Sequence, residues 1–103
     1  MQNELTRKVK ERIISIEQDA EIILYGSRAR DDYRETSDWD YLVIVNGTVD
    51  SARTDRIRSA LYEIELESDQ IINSIIRSRE EWQSLRYSVL PFHENIEREG
   101  IRL

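Results

Sequence analysis

Cysteine is absent from this 103-residue chain, and histidine occurs only once, as His93. Without thiols there is no disulfide framework and no thiolate zinc site. A lone imidazole supports neither a His-based triad nor a histidine metal cluster, so His93 is expected on an exposed helix surface. Long apolar runs are missing too. The longest, Ile22-Ile23-Leu24-Tyr25 and Leu42-Val43-Ile44-Val45, fall far short of the roughly 20 residues that span a bilayer. The first residues, Met1-Gln2-Asn3-Glu4-Leu5, lack the basic-then-apolar order of a secretory signal, and a cytoplasmic location is expected. Positive charge is in the minority, with 15 Lys+Arg against 21 Asp+Glu and a net charge of −6. Broad binding to nucleic acid needs a basic footprint and is not expected. One small nucleotide held through a metal is compatible with the balance.

What is present is enough to fold. Ile, Leu, Val and Phe make up 28 residues, well above the share of about 20% below which disorder is the better reading. The length allows one domain over residues 1–103 with a modest core, and no separate substrate-binding domain. Leu5, Val9, Ile13 and Ile16 recur at helical spacing within residues 4–18. Residues 20–25 read as a short buried strand that runs into Gly26. The polar stretch 26–37 reads as a loop with a short helix opening near Ser27. Residues 38–45 form a second strand, closed by Asn46-Gly47. A second amphipathic helix is expected over 51–67, a strand over 71–76, and a short capped helix after Ser78 carrying Trp82 and Leu85. Pro91 opens a last helix that Gly100 ends. The fold class is α/β (α+β): a small mixed sheet with helices packed against it.

Chemistry concentrates in two places. Strand alternation puts Asp38 and Asp40 on one face, with Trp39 and Tyr41 on the other. Carboxylates at i and i+2 repel each other unless a cation lies between them, and Mg²⁺ takes such oxygen ligands; the alternative is a solvated acid pair. Gly26-Ser27 ends the first strand. Glycine admits close approach of a phosphate, and Ser27 can cap the next helix or donate to that phosphate; the alternative is a plain turn. Trp39, Tyr41, Val43 and Val45 read as core, and Arg53, Arg56 and Arg58 as a solvated helix face.

Tyr25-Gly26-Ser27-Arg28-Ala29-Arg30, followed by Ser37-Asp38-Trp39-Asp40-Tyr41, resembles the polymerase-β-like nucleotidyltransferases, above all their minimal members. The C-terminal residues Pro91-Phe92, Asn95-Ile96 and Arg98-Glu99-Gly100-Ile101 are of a sort that small members carry. The resemblance implies that Gly26 and Ser27 hold a nucleoside triphosphate, aided by Arg28 and Arg30. It also implies that Asp38 and Asp40 bind two Mg²⁺ ions, and that AMP passes from ATP to an acceptor hydroxyl. Minimal members are commonly paired with a helical HEPN-type toxin, so the resemblance further implies an antitoxin role with a tyrosine of that partner as acceptor.

The family's third carboxylate lies on the strand after the middle helix. Within residues 71–76 the polar side chains are Asn73 and Ser74, and none is acidic. Asp69 shares strand parity with Asn73 and is the preferred third acid, with Glu65 and Glu67 as further options and a neutral Asn73 as the other outcome. Without that acid, the resemblance also allows a binding module that keeps the fold and neutralises a partner without transfer. Asp31 stands where many relatives carry glycine.

Overall fold

The computed structural model describes residues 3–103. Its elements are α1 (Asn3–Ile16), β1 (Glu21–Tyr25), α2 (Ser27–Arg30), β2 (Trp39–Val45), α3 (Ser51–Ser68), β3 (Ile72–Ser78), α4 (Arg79–Trp82), α5 (Leu85–Ser88), α6 (Pro91–Glu99) and β4 (Ile101–Arg102). The strands form one mixed sheet in the order β3-β2-β1-β4. β1 runs antiparallel to both β2 and β4, and β2 runs parallel to β3. A parallel pair needs a long crossover, and α3 supplies it.

Both faces of the sheet are covered. On one, Leu5, Val9 and Ile13 of α1 and Ile57, Leu61 and Ile64 of α3 pack on Ile22, Leu24, Trp39, Tyr41, Val43, Val45 and Ile76. On the other, Trp82 and Ile96 cover Ile23, Leu42 and Ile44. This explains why β1 and β2 read as continuous apolar runs: alternate residues leave the strand in opposite directions, and both directions are buried. Trp39, Tyr41, Val43 and Val45 are core, as expected.

Several local expectations are corrected. Trp82 and Leu85 do not share a helix. The Ser78 hydroxyl caps α4 by accepting from Glu81 N, and the Ser84 hydroxyl starts α5 by accepting from Tyr87 N, so the chain turns between them. The tail forms a short strand, β4, on the free edge of β1. His93 is half-buried, because its ring stacks on Trp82 at 4.1 Å and its Nε2 lies 3.0 Å from Trp82 O. Arg53 is not merely solvated; its Nη2 and Nε bind the buried Glu17 carboxylate at 2.6 and 2.8 Å.

Candidate active site

The end of β1, the start of β2 and the start of β3 lie side by side in the sheet. Asp40 is in register with Tyr25 on one neighbour and with Asn73 on the other. Asp38 immediately precedes β2. The Asn73 amide Nδ2 donates to Asp38 Oδ2 and to Asp40 Oδ1, at 3.1 Å each. A single amide thus holds the two carboxylates toward one point and offsets part of their repulsion.

Gly26 sits directly over this pair. Its φ of 78° is in the left-handed region, and a Cβ there would clash with Asp40 Oδ2. Both conditions require glycine. Gly26 also occupies the cap position of α2, with Ala29 N and Arg30 N donating to its carbonyl at 3.0 and 3.2 Å. Ser27 is therefore the first helical residue and not the cap, a correction to the expected capping role.

The two arginines differ. Arg28 is buried, its guanidinium lying 4.4 Å from the Tyr33 ring centre and 4.3 Å from that of Trp39. Its Nη2 donates to the carbonyls of Glu35 and Ser37 at 3.1 Å. These bonds fold the 31–37 loop down and set the direction from which Asp38 arrives, so Arg28 positions the site from beneath. Arg30 is exposed and pairs with Asp32 at 3.3 Å and with Glu99 at 3.6 Å.

The expected third acid is not brought to the pair. Asp69 is exposed at the C-terminal cap of α3 (φ 58°), with its N–H donating to Glu65 O at 2.9 Å. The Glu65 carboxylate accepts from Ile72 N at 2.7 Å, and Glu67 pairs with Arg12 at 3.3 Å. The strand position opposite Asp40 belongs to Asn73, because the chain needs residues 69–71 to turn from α3 into β3. Among the described residues no cluster of three or more acidic or imidazole side chains is placed to hold a metal.

The carboxylate pair fits one hard cation. Two anionic oxygen donors converge, and nucleotide phosphates and water complete the shell that Mg²⁺ prefers. Tyr25, on the other side of Asp40, has its hydroxyl pushed up to about 12 by burial and by the nearby Asp40 charge, with Arg77 opposing. It stays protonated at neutral pH.

Beyond Gly26 a cavity of about 250 Å³ opens between α2 and α6. Phe92 and Asn95 line it, and outside the resemblance their residue types carry no functional signal. The signal the sequence does hold is the glycine that ends α6. Gly100 has room for no side chain against Ile23, which presses the helix onto the β1 end.

No curated protein matches the chain. The model of the nucleotidyltransferase domain family matches residues 6–99, and the mixed four-stranded sheet fits that fold. Matched over nearly its whole length, the chain belongs to the nucleotidyltransferase domain family, as a minimal member of the polymerase-β-like superfamily.

Proposed function

We propose that the chain transfers a nucleoside monophosphate, AMP from ATP, to an acceptor hydroxyl, with Mg²⁺ held by Asp38 and Asp40. The convergence of these two carboxylates beneath Gly26 carries the reading. Gly26 lets phosphate oxygens approach the pair without a side chain in the way, and Ser27 adds a hydroxyl donor at the same turn. Arg28 fixes the loop before Asp38, so the carboxylates are placed before substrate arrives. Bound Mg²⁺ would neutralise charge on the α-phosphate and lower the pKa of the attacking hydroxyl. The chain's own part is positioning and charge placement, which suits a transfer with little covalent work for the protein.

The acceptor in this reading is a tyrosine of a HEPN-type toxin partner in the cytoplasm, which makes the chain an antitoxin. The small size supports an acceptor that comes from outside, since the sheet and its covering helices take up most of the chain.

A second reading has its own support. Asn73 stands where an acid would complete the site, and an amide is a weaker ligand for Mg²⁺ than a carboxylate. A binding module that neutralises its partner without transfer follows from that substitution. The test is a transfer assay with ATP labelled on the α-phosphate, Mg²⁺ and the helical partner. Label on the partner with the wild type, and none with Asp38→Asn/Asp40→Asn, establishes transfer. A stable complex without label, and label gained with Asn73→Asp, establishes the binding module.

A further inference from the structure

Two charged side chains are buried among the described residues, and their surroundings differ. Glu17 has the Arg53 guanidinium at 2.6 Å. Arg28 pairs with no carboxylate among those residues; its Nε and Nη2 donate only to the carbonyls of Glu35 and Ser37. Its Nη1 donates to none of them. No fully buried side-chain nitrogen or oxygen among the described residues lacks a partner, so Nη1 faces open space. A buried charge ordinarily carries a counter-charge. The Tyr33 and Trp39 rings soften that need without meeting it.

That space is a cavity of about 580 Å³ between α1, the 31–37 loop and the end of α3, with Leu5, Lys8, Arg28, Glu35 and Trp39 in its walls. We propose that it binds a small organic monocarboxylate. The carboxylate lies between Arg28 Nη1 and the Lys8 ammonium, and the apolar body rests on Leu5 and Trp39. These two residues belong to the roofed core, so the cavity is on the side of the sheet away from Asp40. The ligand is therefore neither the nucleotide nor its acceptor, and the inference stands apart from the transfer reading.

Charge and size select this ligand. Lys8 is half-buried and, like Arg28, has no acid partner among the described residues. Glu35 is exposed and likewise unpaired among them. Glu4 also lines the cavity, but its carboxylate is held by Arg7 at 3.2 Å. Lys8, Arg28 and Glu35 together leave one net positive charge. One carboxylate balances it, whereas a phosphate dianion overshoots and is repelled by Glu35. An ion pair with a desolvated guanidinium is also stronger than one at the surface. The volume lies within the roughly 300–1,000 Å³ of small-molecule sites. Bound there, the acid ties Lys8 of α1 to Arg28 of α2 and to the loop that Arg28 holds.

Titration of the full chain with benzoate, followed by the indole N–H resonances of its two tryptophans, tests this. Trp39 is in the cavity wall and donates to Gln70 Oε1 at 3.0 Å. Trp82 covers the opposite face, donates to Glu97 and serves as the control. Benzoate is expected to shift the Trp39 signal saturably at millimolar concentration and to leave that of Trp82 in place. Benzamide, its neutral counterpart, and inorganic phosphate should each bind about fivefold or more weakly. Arg28→Ala should abolish the shift, and Lys8→Ala should weaken benzoate by about fivefold or more. Lys8 lies outside the 31–37 loop, so its variant keeps the test open should Arg28→Ala unfold that loop. The proposal is overturned by the lack of a saturable shift at Trp39, or by an equal shift at Trp82. Benzamide or phosphate binding as tightly as benzoate overturns it as well, and so does Lys8→Ala without effect.

Discussion

The two faces of the sheet divide the work. One is roofed by helices of 14 and 18 residues, and its interior is aliphatic and aromatic. Its main polar group, the Tyr41 hydroxyl, meets Thr6 Oγ1 at 3.0 Å and is pushed up to about 12 by burial. The other is covered by helices of four, four and nine residues. They shield Ile23, Leu42 and Ile44 but leave the Asp40 and Asn73 end open. The same β2 strand serves both, Tyr41 toward the dry roof and Asp40 toward the open end. A slip of one residue would bury the carboxylate and expose the tyrosine, so the packed roof also holds the site's register.

Substitutions that act on one face alone break or sharpen this division. The largest effect is expected at the open end. Asp40→Asn should lower nucleotidyl transfer by at least about 100-fold, measured as label transfer under single-turnover conditions. The melting temperature should barely move, since the change removes one of two neighbouring negative charges. A large loss of stability there would mean that the pair is structural. On the roofed face the opposite is expected. Ile13→Ala empties a fully buried site and should cost about 3 kcal/mol in urea unfolding, a large share of the stability of a chain this size. Mg·ATP affinity of the remaining folded protein should stay the same.

A smaller effect ties the roof together from its edge. Glu17 closes α1 and is buried beside Arg53 of α3. The Arg53 hydrogen bonds hold its carboxyl below the usual value of 4.5, against the opposing effect of burial. A carboxyl with a lowered folded-state pKa contributes stability above its unfolded value, and that contribution is lost as pH falls through the folded one. Glu17→Gln should therefore destabilise by about 2 kcal/mol at pH 7, the scale of a hydrogen bond to a charged group. The gap to the wild type should narrow as pH falls below 4.5. A gap independent of pH between 3 and 7 would show that shape, and not charge, joins the helices.

Much of this division can be read from the chain itself. The helical spacing of Leu5, Val9 and Ile13, and the alternation through Asp38 and Asp40, are local patterns. A glycine after an apolar strand is local as well. What could not be read depends on contacts distant in sequence. The register that sets Asn73 against Asp40 spans 33 residues and is decided by how α3 turns into β3. Arg28 is expected beside the triphosphate, and its burial follows only from Tyr33 and Trp39 closing on it. Glu17 and Arg53 are 36 positions apart, each ordinary on its own helix. The two-residue β4 is too short to carry a pattern, and it exists because β1 offers a free edge.

The smallest expected effects concern two aspartates, each at the end of a helix. Asp31 ends α2 and Asp69 ends α3, both in the left-handed region at φ 66° and 58°. A Cβ costs about 1 kcal/mol there, less for Asp than for most residues. Glycine removes that strain but gives back part of it through a freer unfolded chain. Asp31→Gly and Asp69→Gly should each stabilise by about 0.5 kcal/mol, read as a rise in melting temperature of a few degrees. Their effects on transfer decide more than their effects on stability. Asp69 shares strand parity with Asn73, yet it ends a helix and makes none of the bonds that join Asp38 and Asp40. Asp69→Gly should leave transfer within about twofold of the wild type, a change of under about 0.5 kcal/mol in the barrier. A fall of 100-fold would mean that α3 unwinds at its end to deliver a third acid, and that Asn73 only holds its place until substrate binds.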